Sequence, residues 1–154
     1  MTTTPATPPG HHAPLREMDE GECWARLANH VVGRLVVAVG RQPDVFPVNY
    51  RVDDDEIVVR TAEGTKLAAA LLGERVAFEI DDLDERRHCG WSVVVHGTAR
   101  ESTSLDDVMH DAAIDTDPWA AGPKGRVIRI TPDRISGRRL PAPDHEPTNE
   151  GDPR

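Results

Sequence analysis

Apolar positions along this chain follow two periods. Near the start, Cys23, Leu27 and Val31 recur every four residues. Asp19 precedes them and stands three residues ahead of Glu22, the arrangement of a capping box. The spacing predicts a helix over about 20–29. Beyond Gly33 the pattern turns β-like. Leu35-Val36-Val37-Ala38-Val39 is a continuous run closed by Gly40, which predicts a strand buried on both faces. A second strand covers 45–52, where Pro47 points to an edge or a bulge. Three aspartates at 53–55 make a turn, and 57–61 returns as the other arm of a hairpin. Gly64-Thr65 opens a short helix over 66–72 that Gly73 ends. Val76, Phe78 and Ile80 alternate on a fourth strand, followed by a charged loop over 81–87. The stretch 91–100 is a long fifth strand with Val93 and Val95 on one face. Ser104 caps a third helix in which Leu105, Val108, Met109 and Ala112 share a stripe. A last strand, 126–136, is built around Val127-Ile128-Arg129-Ile130.

Six short strands with small helices between them, and no strict βαβ alternation, predict a mainly β domain: a closed or split antiparallel barrel. The expected domain runs from 15 to 140. Residues 1–14 and 141–154 are polar and proline-rich without periodicity, so a disordered leader and a disordered tail are expected there.

Composition narrows the function classes. A chain of 154 residues suits one core, and with 38% hydrophobic but only 4% aromatic residues that core rests on Val, Leu, Ile and Ala. The formal net charge of −9 opposes nucleic acid and anionic membrane as partners, because both are held through cations. Cys23 and Cys89 form no C-x-x-C pair and suit a reducing compartment. The first 14 residues lack the apolar stretch of a signal peptide, and no apolar run nears the roughly 20 residues of a membrane span. The expected location is the cytoplasm.

The strongest chemical signal is Arg60-Thr61-Ala62-Glu63-Gly64-Thr65-Lys66. It runs from a strand end into a helix start, where unpaired backbone N–H groups and a partial positive charge favour an anion. Thr65 offers a hydroxyl, Lys66 a point charge, Arg60 a planar fork, and Gly64 close backbone approach. Spacing alone equally allows a solvated strand end and a simple helix cap, since this is not a Walker A loop. Other candidates read as structural. His88 and Cys89 are adjacent and would point to opposite strand faces, which is poor geometry for one metal ion. His96 lies mid-strand, where it either packs or faces a substrate. Asp81, Asp82, Asp84 and Glu85, next to Arg86 and Arg87, form a solvated loop. His11 and His12 belong to the leader, and Trp119 either lines a site mouth or packs a loop. Tyr50 and Trp91 are core or interface residues, or ring-stacking ones. No metal site is expected.

Six segments, in order, resemble the pyridoxamine 5′-phosphate oxidase-like family of flavin-binding split barrels, and within it the branch that includes nitroimidazole-resistance proteins. They are Glu22-Cys23 with Leu27; Gly33-Arg34-Leu35; Phe46-Pro47-Val48-Asn49-Tyr50; Arg60 to Leu67; Val76 to Asp81; and Gly90 to Gly97. Fainter similarity reaches Ile135-Ser136-Gly137-Arg138-Arg139. The resemblance implies a six-stranded split barrel that pairs as a homodimer with two flavins at the interface. It implies that Arg60, Thr61, Thr65 and Lys66 hold the flavin phosphate, and that Pro47, Val48, Asn49 and Tyr50 run along the ribityl chain and ring. Trp91 and Ser92 would reach the ring, commonly from the second subunit. The long basic signature and C-terminal substrate motif of pyridoxamine phosphate oxidase itself are missing, and Arg60 stands where nitroimidazole-resistance proteins often have His. Neither activity therefore transfers. The expectation is an FMN-dependent oxidoreductase acting on a small organic molecule. The alternatives are a non-catalytic module that binds or senses a flavin or another phosphorylated ligand, and a deazaflavin-dependent reductase. In any of these the cofactor carries the redox chemistry and the protein binds and orients it.

Overall fold

The computed structural model describes residues 14–39, 42–61, 75–102 and 126–142. In chain order these form β1 (Arg16–Met18), α1 (Glu20–Ala28), β2 (Val32–Val39), β3 (Gln42–Asp53), β4 (Glu56–Thr61), β5 (Arg75–Asp84), β6 (Cys89–Glu101) and β7 (Arg126–Leu140). The sheet order is β1-β7-β4-β3-β2-β5-β6, and a further β6–β7 pairing closes it. Every pairing is antiparallel. Six strands thus make a ring, as the sequence predicts, and three-residue β1 pairs with the C-terminal end of β7, on the edge that β4 pairs further up.

Alternation decides which face of each strand is buried. On β6, Trp91, Val93, Val95 and Ala99 point inward; Val76, Phe78 and Ile80 do so on β5. Leu35, Val37, Tyr50, Ile57, Val59, Ile128 and Ile130 complete the interior from the other strands. α1 plugs one end of the ring with Cys23 and Leu27. The Asp19 carboxylate accepts from the Glu22 backbone N–H at 2.8 Å, so the expected cap is present. The capping box is only half built, because the Glu22 carboxylate pairs with Arg139.

Three expectations need correction. β2 is buried on one face only: Val36 is half-buried and Ala38 exposed. The charged stretch 81–84 is strand, since Asp81 to Asp84 pair with Ser92 to Cys89; only 85–88 turn. β1 was not anticipated at all. Pro47 fits its reading as an edge: β4 pairs with β3 only from Tyr50 to Asp53, so at Pro47 the described partner is β2 alone. The helices expected over 66–72 and from Ser104 lie outside the described residues.

β7 organises the closure. Its first part, Arg126 to Ile130, pairs with β4, and Gly137 to Arg139 pair with β1, while β6 runs along its other side. Between Ile130 and Gly137 neither β4 nor β1 is paired with it. This is the split in the barrel.

Candidate functional site

The alternation that builds the core also sorts the candidate residues. Pro47, Asn49, Arg60 and Ser92 are on the outer face of their strands, while Val48, Tyr50 and Trp91 point inward. Thr61 is the last residue of β4, opposite Arg126 on β7. Thr65 and Lys66 lie outside the described residues. Continuing the register that pairs Tyr50 with Val59 by one residue sets Asn49 beside Arg60. These two outward side chains are the part of the expected site that one sheet region brings together. Asn49 has a specific feature: its Nδ2 is buried and has no hydrogen-bond partner among the described residues. A buried amide donor left unpaired costs about 1–3 kcal/mol, so this position is incomplete as it stands.

Ser92 is elsewhere. It pairs with Asp81 on β5 and Arg138 on β7, and β5 and β2 separate it from β3. Three strand steps at about 4.8 Å put it roughly 14 Å from Asn49. Between them, Arg34 bridges Glu79 at 2.8 Å and Asp81 at 2.7 Å. Hydrogen bonds to Asp81 and then Glu79 raise its pKa further, so the charge on this face is permanent.

The two aromatic candidates are engaged within the chain. Tyr50 is 1% exposed, its hydroxyl donates to the Leu27 carbonyl at 2.7 Å, and its ring meets Phe78 edge-on at 4.7 Å. It ties β3 to the end of α1 and presents only backbone to any ligand. Trp91, 8% exposed, lies under the Arg26 guanidinium at 4.6 Å and against His30 at 4.9 Å. Stacking on a ligand ring through either side chain is therefore closed in this arrangement. Burial pushes the Tyr50 hydroxyl pKa well above its ordinary value of 10. An unfolded chain ionises this group above pH 10 and the folded chain does not, so its contribution to stability is complete below pH 10 and falls as pH rises beyond it. Tyr50→Phe is expected to cost about 1 kcal/mol at neutral pH and to flatten the alkaline part of a stability-versus-pH curve from urea melts.

Sequence reading missed the one buried cation among the described residues. Arg129, outward on β7 yet 4% exposed, donates to Asp53 at 2.7 Å and Glu56 at 3.2 Å. Arg100 also reaches Glu56, at 3.1 Å, and Thr131 donates to its other oxygen. The signal was present as a charge set between Ile128 and Ile130. The other candidates are structural. His88 sits in a turn with φ 50°. His96 faces Arg134 at 3.3 Å. Asp84 accepts from the Arg86 and Arg87 N–H groups at 3.0 Å. Cys23 is buried, and burial followed by Asp19 and Glu20 raises its pKa, which keeps it a thiol. Among the described residues no group of His, Cys, Asp and Glu is arranged to hold a metal, and no helix is long and apolar enough to cross a membrane. Trp119, His11 and His12 lie outside the described residues.

A six-stranded antiparallel ring, split along β7 and plugged by one helix, defines a small split-barrel protein. The chain belongs to the pyridoxamine 5′-phosphate oxidase family, whose sequence model matches residues 19–139. An uncharacterized protein of Mycobacterium tuberculosis is 35% identical over 136 residues, 85% of this chain and 89% of that protein. The structure of an FAD-binding protein from Mycobacterium smegmatis is similar with a TM-score of 0.73 and 37% identity, over 81% of this chain and 98% of the other. A candidate 5-nitroimidazole antibiotic resistance protein from Bacteroides thetaiotaomicron shares the fold, with a TM-score of 0.63 at 12% identity over 84% of this chain and 94% of that one.

Proposed function

We propose that this protein binds a flavin nucleotide, FMN, on the outer face where β3 and β4 meet, and acts as an oxidoreductase on a small organic substrate. The observation that carries the reading is the buried Asn49 amide, unpartnered among the described residues, on the strand next to that of Arg60. A donor in that state fits a ligand oxygen, and an arginine at a strand end fits a phosphate. Arg60 and Thr61, with Thr65 and Lys66, hold the phosphate. Pro47 and the backbone of Val48 to Tyr50 run alongside the ligand. When bound, the flavin supplies hydride or electron transfer, and the chain supplies binding, orientation and shielding. The same reading includes a homodimer, in which Ser92 and the backbone of Trp91 from a second copy frame the ring. Supporting it, Ser92 of one chain is three strands from Asn49, and exposed Val45 and Val32 mark the outer face near β2 and β3. FAD is the second reading, favoured by the FAD-binding relative at 37% identity.

Purified protein should carry a flavin absorbance spectrum or bind FMN near micromolar, about −8 kcal/mol. Parallel titrations with FMN, FAD and a deazaflavin rank the ligands. Arg60→Ala with Lys66→Ala should weaken binding at least about 100-fold, since charge-assisted hydrogen bonds contribute roughly 1.5–3 kcal/mol each; unchanged affinity rejects the phosphate site. Asn49→Leu separates ligand binding from stability. It removes an unpaired buried donor, so the flavin-free protein should gain about 1 kcal/mol while FMN affinity falls about tenfold. Thermal unfolding with and without FMN reads both effects, and a loss of stability without a loss of affinity contradicts the assignment.

A further inference from the structure

The split in the barrel opens into a cleft of about 650 Å³. Its back wall is the middle of β7, Thr131 to Ile135, and α1 contributes Trp24 and Glu20. The β3–β4 turn supplies Asp54, Asp55 and Glu56. Among the described residues this wall is a strand edge without a paired neighbour. β4 ends its pairing at Ile130 and β1 begins at Gly137, which leaves 131–136 facing the cleft on that side. Six residues of strand span about 20 Å. Pro132 has no N–H to offer, but the residues after it present backbone N–H and C=O groups that a further strand can satisfy, as in β-strand addition.

The side chains around the edge state what kind of strand fits. Glu56 is taken up by Arg129, Arg100 and Thr131, and Asp133 by Arg75 at 2.9 Å. Glu20, Asp54 and Asp55 have no salt bridge among the described residues and stand on the rim, against one lining cation, Arg134, which already faces His96. The rim is therefore complementary to positive charge. Trp24 and Ile135, both half-buried against the core, give the floor an apolar surface. In an extended chain alternate side chains point to opposite sides, so basic residues can meet the carboxylates while apolar ones meet Trp24 and Ile135. We propose that this cleft docks an extended segment of a partner protein with alternating basic and apolar residues, which adds a short strand to the open edge of β7. The site is separate from the proposed flavin site: Glu56 and Arg60 are at opposite ends of β4, about 13 Å apart along the strand.

The test uses the full chain and a fluorescein-labelled Lys-Val-Lys-Val-Lys peptide, followed by anisotropy at low salt. Binding with Kd on the order of 100 µM is expected, weakening as salt screens the rim. The same peptide methylated on alternate backbone nitrogens should bind at least about tenfold more weakly, because the strand hydrogen bonds are lost. Asp54→Asn with Asp55→Asn should weaken binding roughly fivefold. Asn is suited to the positive φ of 48° and 60° at these positions, so unchanged circular dichroism and FMN affinity are expected to show an intact fold. No binding up to about 2 mM overturns the proposal. So does equal binding of the methylated peptide, and so does full displacement by spermidine at matched charge, which would mark a site for small cations only.

Discussion

Arg129→Met is expected to lower the free energy of unfolding by about 3 kcal/mol, near the lower end of the range for breaking a buried ion pair, and the melting temperature by about 10 °C. The guanidinium is 4% exposed and donates to two carboxylates, on Asp53 and Glu56. Those residues flank the turn that joins β3 to β4, and Arg129 itself lies opposite Val58 on β4 and Arg100 on β6. One side chain therefore ties the hairpin to the two strands that close the ring. Methionine fills most of the volume, so the loss is electrostatic: two carboxylates, 19% and 15% exposed, lose their buried cation, and of the two Glu56 keeps Arg100 and Thr131 as neighbours. Water still reaches both acids, which holds the cost below that of a fully buried charge. Arg129→Lys keeps the charge without the fork and should fall between the two. If desolvated acids are the cause, adding Asp53→Asn and Glu56→Gln to Arg129→Met should recover part of the loss. A triple variant as unstable as the sum of its parts would instead assign the effect to packing. Urea melts of the wild type, Arg129→Met, Arg129→Lys, the Asp53→Asn/Glu56→Gln double variant and the triple variant measure it.

The fold was legible wherever burial imposes a period on the sequence. Val76, Phe78 and Ile80, and then Trp91, Val93 and Val95, alternate because one face of each strand meets the core. Asp19 announced the helix because a cap is a local hydrogen bond. The failures occurred where neighbours distant in sequence decide. Arg16-Glu17-Met18 has no pattern of its own and is a strand only because β7 offers it an edge. Asp81 to Asp84 read as a loop from their charge, yet they are held by pairing with the far side of the 85–88 turn. The unbroken apolar run of β2 suggested two buried faces, but Val36 and Ala38 are on the outer one. In the candidate site, the sequence named Asn49 and Arg60 among its cofactor contacts, and the structure puts both on the outer face of neighbouring strands, β3 and β4. It could not show that the Tyr50 hydroxyl is committed to Leu27, or that Arg26 and His30 pack on Trp91, because those contacts are made across the fold.

Phe78→Ala should destabilise the protein by about 4 kcal/mol, within the range for emptying a buried aromatic site. The ring is fully buried and meets Tyr50 edge-on. It also lies over the backbone of β2 at Gly33, where a Cβ atom would come within 2.2 Å of its Cζ and 2.9 Å of the Glu79 carbonyl oxygen. Gly33 is thus a notch cut for this ring, and Gly33→Ala should cost about 2–3 kcal/mol through overpacking. The two effects have one cause, so they should not add. Leucine at 78 is shorter and vacates part of the notch, and Gly33→Ala with Phe78→Leu should lose at least about 1 kcal/mol less than the sum of the single changes. The Glu79 carbonyl, fixed in the β2–β5 ladder, keeps the rescue partial. Phe78 also supports Tyr50, which immediately follows Asn49 on β3. Loss of the ring should therefore weaken FMN binding in Phe78→Ala at a temperature where the protein is still folded, and Phe78→Leu should restore most of it. Chemical denaturation of the single and double variants, with FMN titration of each, measures the coupling; strict additivity would mean that Gly33 and Phe78 are constrained separately.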